Sequence, residues 1–236
     1  MTNRIALLLK TLTKILKEEF KNNLKCIILY GSWAKGTARE DSDVDLIAVF
    51  EEVNEKTKRK LHEIIEKKSE ERSVTIVPAS IEDFRGEKLP LFTAVKREGI
   101  IVYGDIDLRI NSRPPAEKYK EFFKKSEKFE KSKVKIAKEI FRNNPEYTPV
   151  DMCFVASKHA IQIALAMKGV GYSSKVKVLL PLAEEHLGKE IANAFRKLFN
   201  LYVKSEYKLE FLSKEEMETA LKCAKRIMKV YSIRFN

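Results

Sequence analysis

The chain has 236 residues, of which 44% are hydrophobic and 34% are charged, and its formal net charge is +12. This length and hydrophobic content suffice for one large domain or two small ones. No apolar run approaches the roughly 20 residues that cross a bilayer, so the sequence argues against a membrane protein and we expect a cytoplasmic location.

The first half of the chain is predicted to alternate helices with short apolar strands. Its first helix has apolar residues at helical spacing and lacks the features of a signal peptide. Pro78 is expected to stop the third strand, and Gly99 occupies a helix C-cap position. The predicted elements are a helix over 2–22, strands over 26–31 and 44–50, a helix over 54–70, a strand over 74–78, a helix over 88–98 and a strand over 99–105.

The pattern changes after residues 110–117, which contain Pro114 and Pro115 and have no apolar periodicity. We therefore predict a domain of residues 1–110 and a second domain of residues 111–236. The second half shows helical periodicity only, and Ser213 with Glu216 forms a capping-box pattern. Its predicted helices cover 115–142, 149–168, 174–187, 189–206 and 213–230.

The positive charge lies almost entirely in the second half, since residues 1–110 carry a net charge of +1 and residues 111–236 carry +11. Such a basic half is typical either of a solvated, Lys-rich helical surface or of a domain that binds nucleic acid. The solvated surface is favoured because the lysines are spread along the sequence and are not clustered with aromatic residues.

The three cysteines, Cys26, Cys153 and Cys223, lie far apart and form no CxxC motif. An odd number of widely spaced cysteines in a cytosolic protein favours reduced, structural thiols over zinc ligands or disulfides.

The most informative segment is GSWAKGTAREDSDVDL, residues 31–46. A strand that ends in Gly31-Ser32 presents backbone N–H groups and a hydroxyl, which are good ligands for phosphates. Asp43 and Asp45 are two residues apart at the start of a strand, so their side chains share one face. Two carboxylates on one face can hold hard cations such as Mg²⁺. Because aspartate is depleted in strands, this pair predicts a functional site.

This segment resembles the Gly-Ser, Asp-x-Asp signature of the polymerase-beta-like nucleotidyltransferases, including the minimal and the aminoglycoside nucleotidyltransferases. The resemblance covers residues 24–105. It implies an α/β (α+β) domain with a short mixed sheet, in which Gly31 and Ser32 bind the β- and γ-phosphates of a nucleoside triphosphate. Asp43 and Asp45 would bind two Mg²⁺ ions and serve as catalytic residues.

The same resemblance implies transfer of a nucleoside monophosphate to a hydroxyl acceptor with loss of pyrophosphate. Lys35 and Arg39 lie in the intervening loop, where they either contact phosphates or are ordinary loop charges. The base of the nucleotide and the identity of the acceptor are not given by the sequence. A homodimer is implied by the habit of the family alone.

The sequence departs from the family pattern where a later strand normally supplies a third carboxylate. By the family's spacing that position is Thr75, and Ser73 on the same face is not acidic either. Glu82 and Asp83 follow, on an expected helix beyond Pro78. Loss of one ligand weakens the catalytic metal more than the nucleotide metal. We therefore predict retained nucleotide binding and slow or absent transfer.

The second half resembles the HEPN family of all-α helical bundles, on its layout and on SKHAIQIALAMKGV, residues 157–170. Family members that cleave RNA use an Arg followed four to six residues later by a His, and here Asn200 and Ser205 occupy those positions, before Tyr207. We therefore expect no RNase activity. His159 lies on an apolar stripe and is interpreted as a core histidine, with a substrate contact as the alternative.

Two hypotheses for the whole chain remain open at this point. The first is a Mg²⁺-dependent nucleotidyltransferase, impaired if Thr75 replaces the third carboxylate. The second is a protein of the nucleotidyltransferase/HEPN, antitoxin-like type that binds nucleoside triphosphate without turnover and acts through a partner. A third hypothesis, from the positive charge, is that the helical half binds nucleic acid.

Overall fold

The computed structural model describes residues 3–68 and 73–235, and the chain divides into two compact units, Met1–Ser112 and Arg113–Asn236. Residues 69 and 70 of the predicted helix over 54–70 lie outside the described residues. The elements of the first unit are α1 (Asn3–Phe20), a 3-10 turn (Lys21–Asn23), β1 (Leu24–Tyr30), α2 (Gly31–Ala34), β2 (Val44–Phe50), α3 (Glu55–Lys68), β3 (Val74–Ser80), α4 (Ile81–Arg85), α5 (Pro90–Glu98) and β4 (Ile100–Gly104).

The four strands form one mixed sheet in the order β3-β2-β1-β4. Strand β1 is antiparallel to β2 and β4, whereas β2 and β3 are parallel. The sheet therefore has one end at which β1 finishes while β2 and β3 begin, and we call it the Gly31 end. Segments 31–46 and 73–75, which are distant in sequence, meet there.

Helices cover both faces of the sheet because the strand side chains alternate. Val44, Leu46 and Ala48 of β2 pack into a core with α1 and α3. Ile47 and Val49 pack into a second core with α4 and α5. Asp45 belongs to the second set by alternation, and its half-buried side chain lies where that core ends.

Strand β3 continues through Pro78 to Ser80, so the prediction that Pro78 ends the strand was wrong. Pro78 pairs with Ala48 in a strand at the edge of the sheet. Proline is tolerated in an edge strand because its missing N–H can face away from the neighbouring strand. The predicted C-cap at Gly99 is confirmed, since its N–H donates to the Val95 carbonyl at 2.7 Å.

The second unit is mostly helical and has no strand among its described residues. Its elements are α6 (Pro115–Lys118), α7 (Lys120–Asn143), α8 (Val150–Met167), α9 (Val176–Leu187), α10 (Lys189–Glu206), α11 (Lys214–Ile227) and a 3-10 turn (Met228–Ser232). The predicted first helix is interrupted at Tyr119, and the predicted capping box of Ser213 with Glu216 is confirmed.

Helix α8 forms the centre of this bundle. By length and composition it could cross a membrane, but 72% of its 18-residue window is buried inside the protein, as in a core helix. Phe154 of α8 stacks on Tyr202 and Phe195 of α10. Cys153 lies in the same core. All three cysteines, Cys26, Cys153 and Cys223, are free and buried thiols, as predicted.

Candidate active site

The backbone of Gly31 lies directly against the carboxylate of Asp45. Gly31 has a φ of +73°, and a Cβ at this position would overlap Oδ2 of Asp45. The neighbouring residue Tyr30 is the Cα partner of Asp45 in the pairing of β1 with β2. Only glycine combines this backbone conformation with so close an approach, so the first motif residue and the second carboxylate form one structural unit.

The two aspartates differ in their surroundings. Asp43 is exposed in the loop that precedes β2, and Asp45 is half-buried within the strand. Burial raises the pKa of the Asp45 carboxyl, and the nearby charge of Asp43 raises this pKa further. A cation held between the two carboxylates would offset both effects.

The loop that carries Asp43 is held by the single tryptophan of the chain. The indole Nε1 of Trp33 donates to the carbonyl of Ser42 at 3.1 Å. The hydroxyl of Ser42 accepts from the N–H of Arg39 at 2.8 Å, and the N–H of Ser42 donates back to the Arg39 carbonyl at 3.1 Å. These bonds fix the residue before Asp43, and sequence reasoning did not assign a role to Trp33 or Ser42.

The other motif residues are placed differently. The hydroxyl of Ser32 has no hydrogen-bond partner within residues 3–68 and 73–235, so it is available to a ligand. Lys35 pairs with Glu98, at the end of α5, with Nζ 2.6 Å from Oε2. Arg39 is exposed and has no acidic partner in the described part of the chain. A phosphate can therefore reach Arg39 directly, but it competes with Glu98 for Lys35.

Thr75 is the Cα partner of Asp45 in the parallel pairing of β2 with β3, and its side chain is exposed. Among residues 3–68 and 73–235 no three His, Cys, Asp or Glu side chains form a group that could hold a metal ion. In the described structure, the position next to Asp45 on β3 therefore offers a hydroxyl and no carboxylate.

Glu82 and Asp83 lie at the far end of β3. The strand ends at Ser80, five positions after Thr75, which is roughly 16 Å at the rise of an extended strand. Both acids pair with Lys88, at 2.9 Å and 2.6 Å. Helix α4, which carries them, is the helix expected beyond Pro78, and it follows the end of β3 opposite to Thr75.

The donors at the Gly31 end fit a Mg²⁺ ion that is shared with phosphate oxygens. Asp43 and Asp45 supply hard carboxylate oxygens, and Thr75 lies beside Asp45. These donors suit Mg²⁺ because this ion usually takes one or two carboxylates and completes its shell with water and substrate phosphates. The raised pKa of Asp45 is a further sign of a site that lacks compensating charge. These residues would hold the ion that accompanies the nucleotide.

Two residues of the helical unit that the sequence analysis singled out, His159 and Tyr207, are both accessible to solvent. His159 is 38% exposed, and its Nδ1 lies 3.1 Å from Oε1 of the buried Glu130. The predicted single hydrogen bond is present, but the ring is half-exposed and is not enclosed in the core. Tyr207, at the end of α10, is 73% exposed.

Two protein-family models match successive parts of the chain. The nucleotidyltransferase domain family matches residues 9–100, and the HEPN domain family matches residues 119–234. A Methanocaldococcus jannaschii protein named as a candidate protein adenylyltransferase is 42% identical over 53 residues, which is 22% of this chain. The chain spans about half, 51%, of the length of that relative.

One solved structure resembles nearly the whole chain. The spectinomycin adenyltransferase AAD(9) of Enterococcus faecialis, solved with ATP and spectinomycin, aligns with a TM-score of 0.54 and 14% identity, covering 96% of this chain and 99% of that chain. At this identity the similarity concerns the fold: a mixed sheet with helices, followed by a helical domain. The chain therefore contains a nucleotidyltransferase domain over residues 9–100, followed by a HEPN domain over residues 119–234.

Proposed function

We propose that the chain binds a Mg²⁺-nucleoside triphosphate at the Gly31 end of its sheet and transfers the nucleoside monophosphate to a hydroxyl acceptor. The observation that carries this proposal is the direct contact between the Gly31 backbone and the Asp45 carboxylate. It supports the proposal because a glycine turn suits a phosphate and a carboxylate suits a hard cation, and the two are adjacent here.

Each motif residue has a role in this proposal. The backbone at Gly31 and the free hydroxyl of Ser32 bind the terminal phosphates, and Arg39 supplies a positive charge from the loop. Asp43 and Asp45 hold the Mg²⁺ ion, which lowers the negative charge on the phosphates when it is bound. Lys35 joins the phosphates only after it leaves Glu98.

The transfer forms a bond between the acceptor oxygen and the α-phosphorus and breaks the bond from the α-phosphorus to the bridging oxygen, so pyrophosphate leaves. The acceptor hydroxyl must lose a proton, and Thr75 cannot take it as a carboxylate would. We therefore propose that the nucleotide site is intact and that the transfer step is slow. ATP is the first donor to test, because one relative is named as a candidate protein adenylyltransferase and a solved structure of similar fold is an adenyltransferase bound to ATP.

A second candidate function is favoured by the same observation at Thr75. A chain that binds nucleoside triphosphate but lacks the third carboxylate can act as a regulatory protein of the nucleotidyltransferase/HEPN, antitoxin-like type. It would then signal nucleotide occupancy to a partner and would not release pyrophosphate.

The test that separates the two functions measures pyrophosphate release from ATP with Mg²⁺, with and without hydroxyl-rich acceptors. The acceptors are aminoglycosides and a Tyr- and Ser-containing protein substrate. Release that depends on the acceptor and disappears in Asp43→Asn supports the enzyme. Binding of Mg²⁺-ATP without release in the presence of every acceptor supports the regulatory protein, and absence of binding contradicts both.

A further inference from the structure

A groove rimmed by lysines lies on the helical unit, between α7 and the end of α11. Its cavity volume is about 600 Å³. Its floor is aliphatic and consists of Val134, Leu221 and Met228. The rest of its lining is polar and carries one acidic residue, Glu218, one serine, Ser232, and six lysines, which are Lys131, Lys135, Lys138, Lys222, Lys225 and Lys229. We call this feature the lysine groove.

Most of the positive charge in the lysine groove is not neutralised within the chain. Lys131 pairs with Glu127 and Lys135 with Glu139. The remaining four rim lysines have no carboxylate within ion-pair distance in the described ranges 3–68 and 73–235. Several of the rim lysines are three or four residues apart on their helices, where like charges repel. An anionic occupant would remove this repulsion.

The chemistry of the lining distinguishes between anionic occupants. Nucleic-acid sites stack bases on aromatic or Arg side chains and favour the bidentate contacts that Arg makes with phosphate. The residues that line the groove include no Arg and no aromatic side chain. A lysine rim above an aliphatic floor instead matches apolar side chains flanked by Glu or Asp, which is the pattern of an acidic amphipathic helix.

The dimensions of the groove fit such a helix. The lining residues of α11 and the following turn run from Glu218 to Ser232, and the part from Glu218 to Lys229 alone spans roughly 16 Å at 1.5 Å per helical residue. This length accommodates about three turns of a bound helix. A bound helix of that size would present an apolar residue at each turn to the floor and carboxylates to both rims.

The charge of the chain argues against a second copy as the occupant. Residues 111–236 carry a net charge of +11, and residues 1–110 carry +1, so neither half of a second copy is acidic. We propose that the lysine groove is a docking site for an acidic amphipathic helix of a different protein. This proposal is independent of the function proposed for the nucleotidyltransferase domain.

The test uses the full chain and a fluorescein-labelled peptide of about 16 residues, with leucines at positions i, i+3, i+4 and i+7 and glutamates on both flanks. A scrambled peptide of the same composition keeps the charge and loses the apolar stripe. Fluorescence anisotropy should show roughly tenfold tighter binding of the amphipathic peptide. The charge reversal Lys222→Glu/Lys225→Glu should weaken its binding by a similar factor.

Matched controls separate docking from folding and from general charge. Lys189→Glu/Lys208→Glu changes the net charge equally at exposed positions outside the groove and should leave binding unchanged. The milder Lys222→Gln/Lys225→Gln should weaken binding and, by removing repulsion, raise the melting temperature at low salt. Circular dichroism checks that each variant is folded.

Three results would overturn the proposal. Equal binding of the amphipathic and scrambled peptides would show that only the net charge matters. Equal loss in the Lys189/Lys208 control would show that binding is not confined to the groove. Tighter binding of a single-stranded RNA of similar length, lost in the same groove variants, would assign the groove to nucleic acid.

Discussion

Thr75 lies directly beside Asp45, as its Cα partner in the parallel pairing of β3 with β2. Paired residues of neighbouring strands point to the same face of a sheet. A hydroxyl therefore occupies the strand position at which the resemblance to nucleotidyltransferases implies the third carboxylate. Under the proposed function this relationship separates two steps, because Asp43 and Asp45 are proposed to bind Mg²⁺-nucleotide, whereas β3 offers the acceptor proton no acidic partner.

Thr75→Asp is expected to raise the rate of nucleotidyl transfer. Thr75 is exposed, so an aspartate fits there and places a carboxylate beside Asp45, where it can act as a general base, an effect of about 10² in rate. Pyrophosphate release with ATP, Mg²⁺ and acceptor measures it. Thr75→Asn has a similar size without the charge and should not raise the rate. An unchanged rate in Thr75→Asp would show that the missing carboxylate is not what limits transfer.

Gly31→Ala is expected to weaken Mg²⁺-nucleotide binding because its methyl group would displace the Asp45 carboxylate. Gly36→Ala is the matched control, since Gly36 has a similar φ of +68° and nothing lies within 4 Å of a Cβ there. Both variants should lose about 1–2 kcal/mol of unfolding free energy to backbone strain. Calorimetric titration with ATP should separate them, and equal affinities would contradict the role given to the Gly31–Asp45 contact.

Asp45 is expected to make metal binding dependent on pH. Burial and the charge of Asp43 raise its pKa in the folded protein, so protons compete with Mg²⁺ as the pH falls through this raised value. Because the pKa is raised on folding, the ionised Asp45 carboxylate lowers the stability of the folded protein at pH values above the folded pKa. This loss is absent below the unfolded pKa of about 3.9, where the carboxyl is protonated in both states. Asp45→Asn should therefore raise the melting temperature of the metal-free protein at neutral pH, with the difference vanishing in acid.

Thermal melts of the wild type and Asp45→Asn across the pH range measure this difference in stability and would also reveal a change of the opposite sign. A lower melting temperature of Asp45→Asn at neutral pH would mean that the carboxylate is stabilised by the fold. That result would contradict a site that needs a cation. Asp43→Asn provides the comparison, since removing its charge should shift the transition of Asp45 to lower pH.

Trp33→Phe is expected to loosen the loop that carries Asp43. Phenylalanine keeps an apolar ring but loses the hydrogen bond from the indole Nε1 to the Ser42 carbonyl, a loss of about 1 kcal/mol. The affinity for Mg²⁺-ATP should fall clearly, whereas the melting temperature should fall only slightly. An affinity equal to that of the wild type would show that the bond does not position Asp43.

The secondary structure around the motif could be predicted from the sequence, because it depends on patterns within a few neighbouring residues. Strand β2 was predicted over 44–50 and occupies Val44–Phe50, because this segment is apolar at every position except Asp45. The extent of β3 past Pro78 was missed, since whether a strand lies at an edge depends on the order of strands in the sheet.

Contacts between residues distant in sequence could not be predicted. The ion pair between Lys35 and Glu98 depends on where α5 packs on the sheet, and no pattern near either residue indicates it. The pairing of Asp45 with Thr75 needs the register of a parallel strand pair. The resemblance to a family indicated this position, whereas the residues alone did not.

Calorimetric titration of ATP, with and without Mg²⁺, into the wild type and into Asp43→Asn/Asp45→Asn is the decisive experiment for the nucleotide site. We expect Mg²⁺-dependent binding to the wild type that disappears in the double variant, while circular dichroism shows both to be folded. Binding that is unchanged in the double variant, or no binding of ATP, GTP, CTP or UTP by the folded wild type, would contradict the claim that the Gly31 end of the sheet is a nucleotide site.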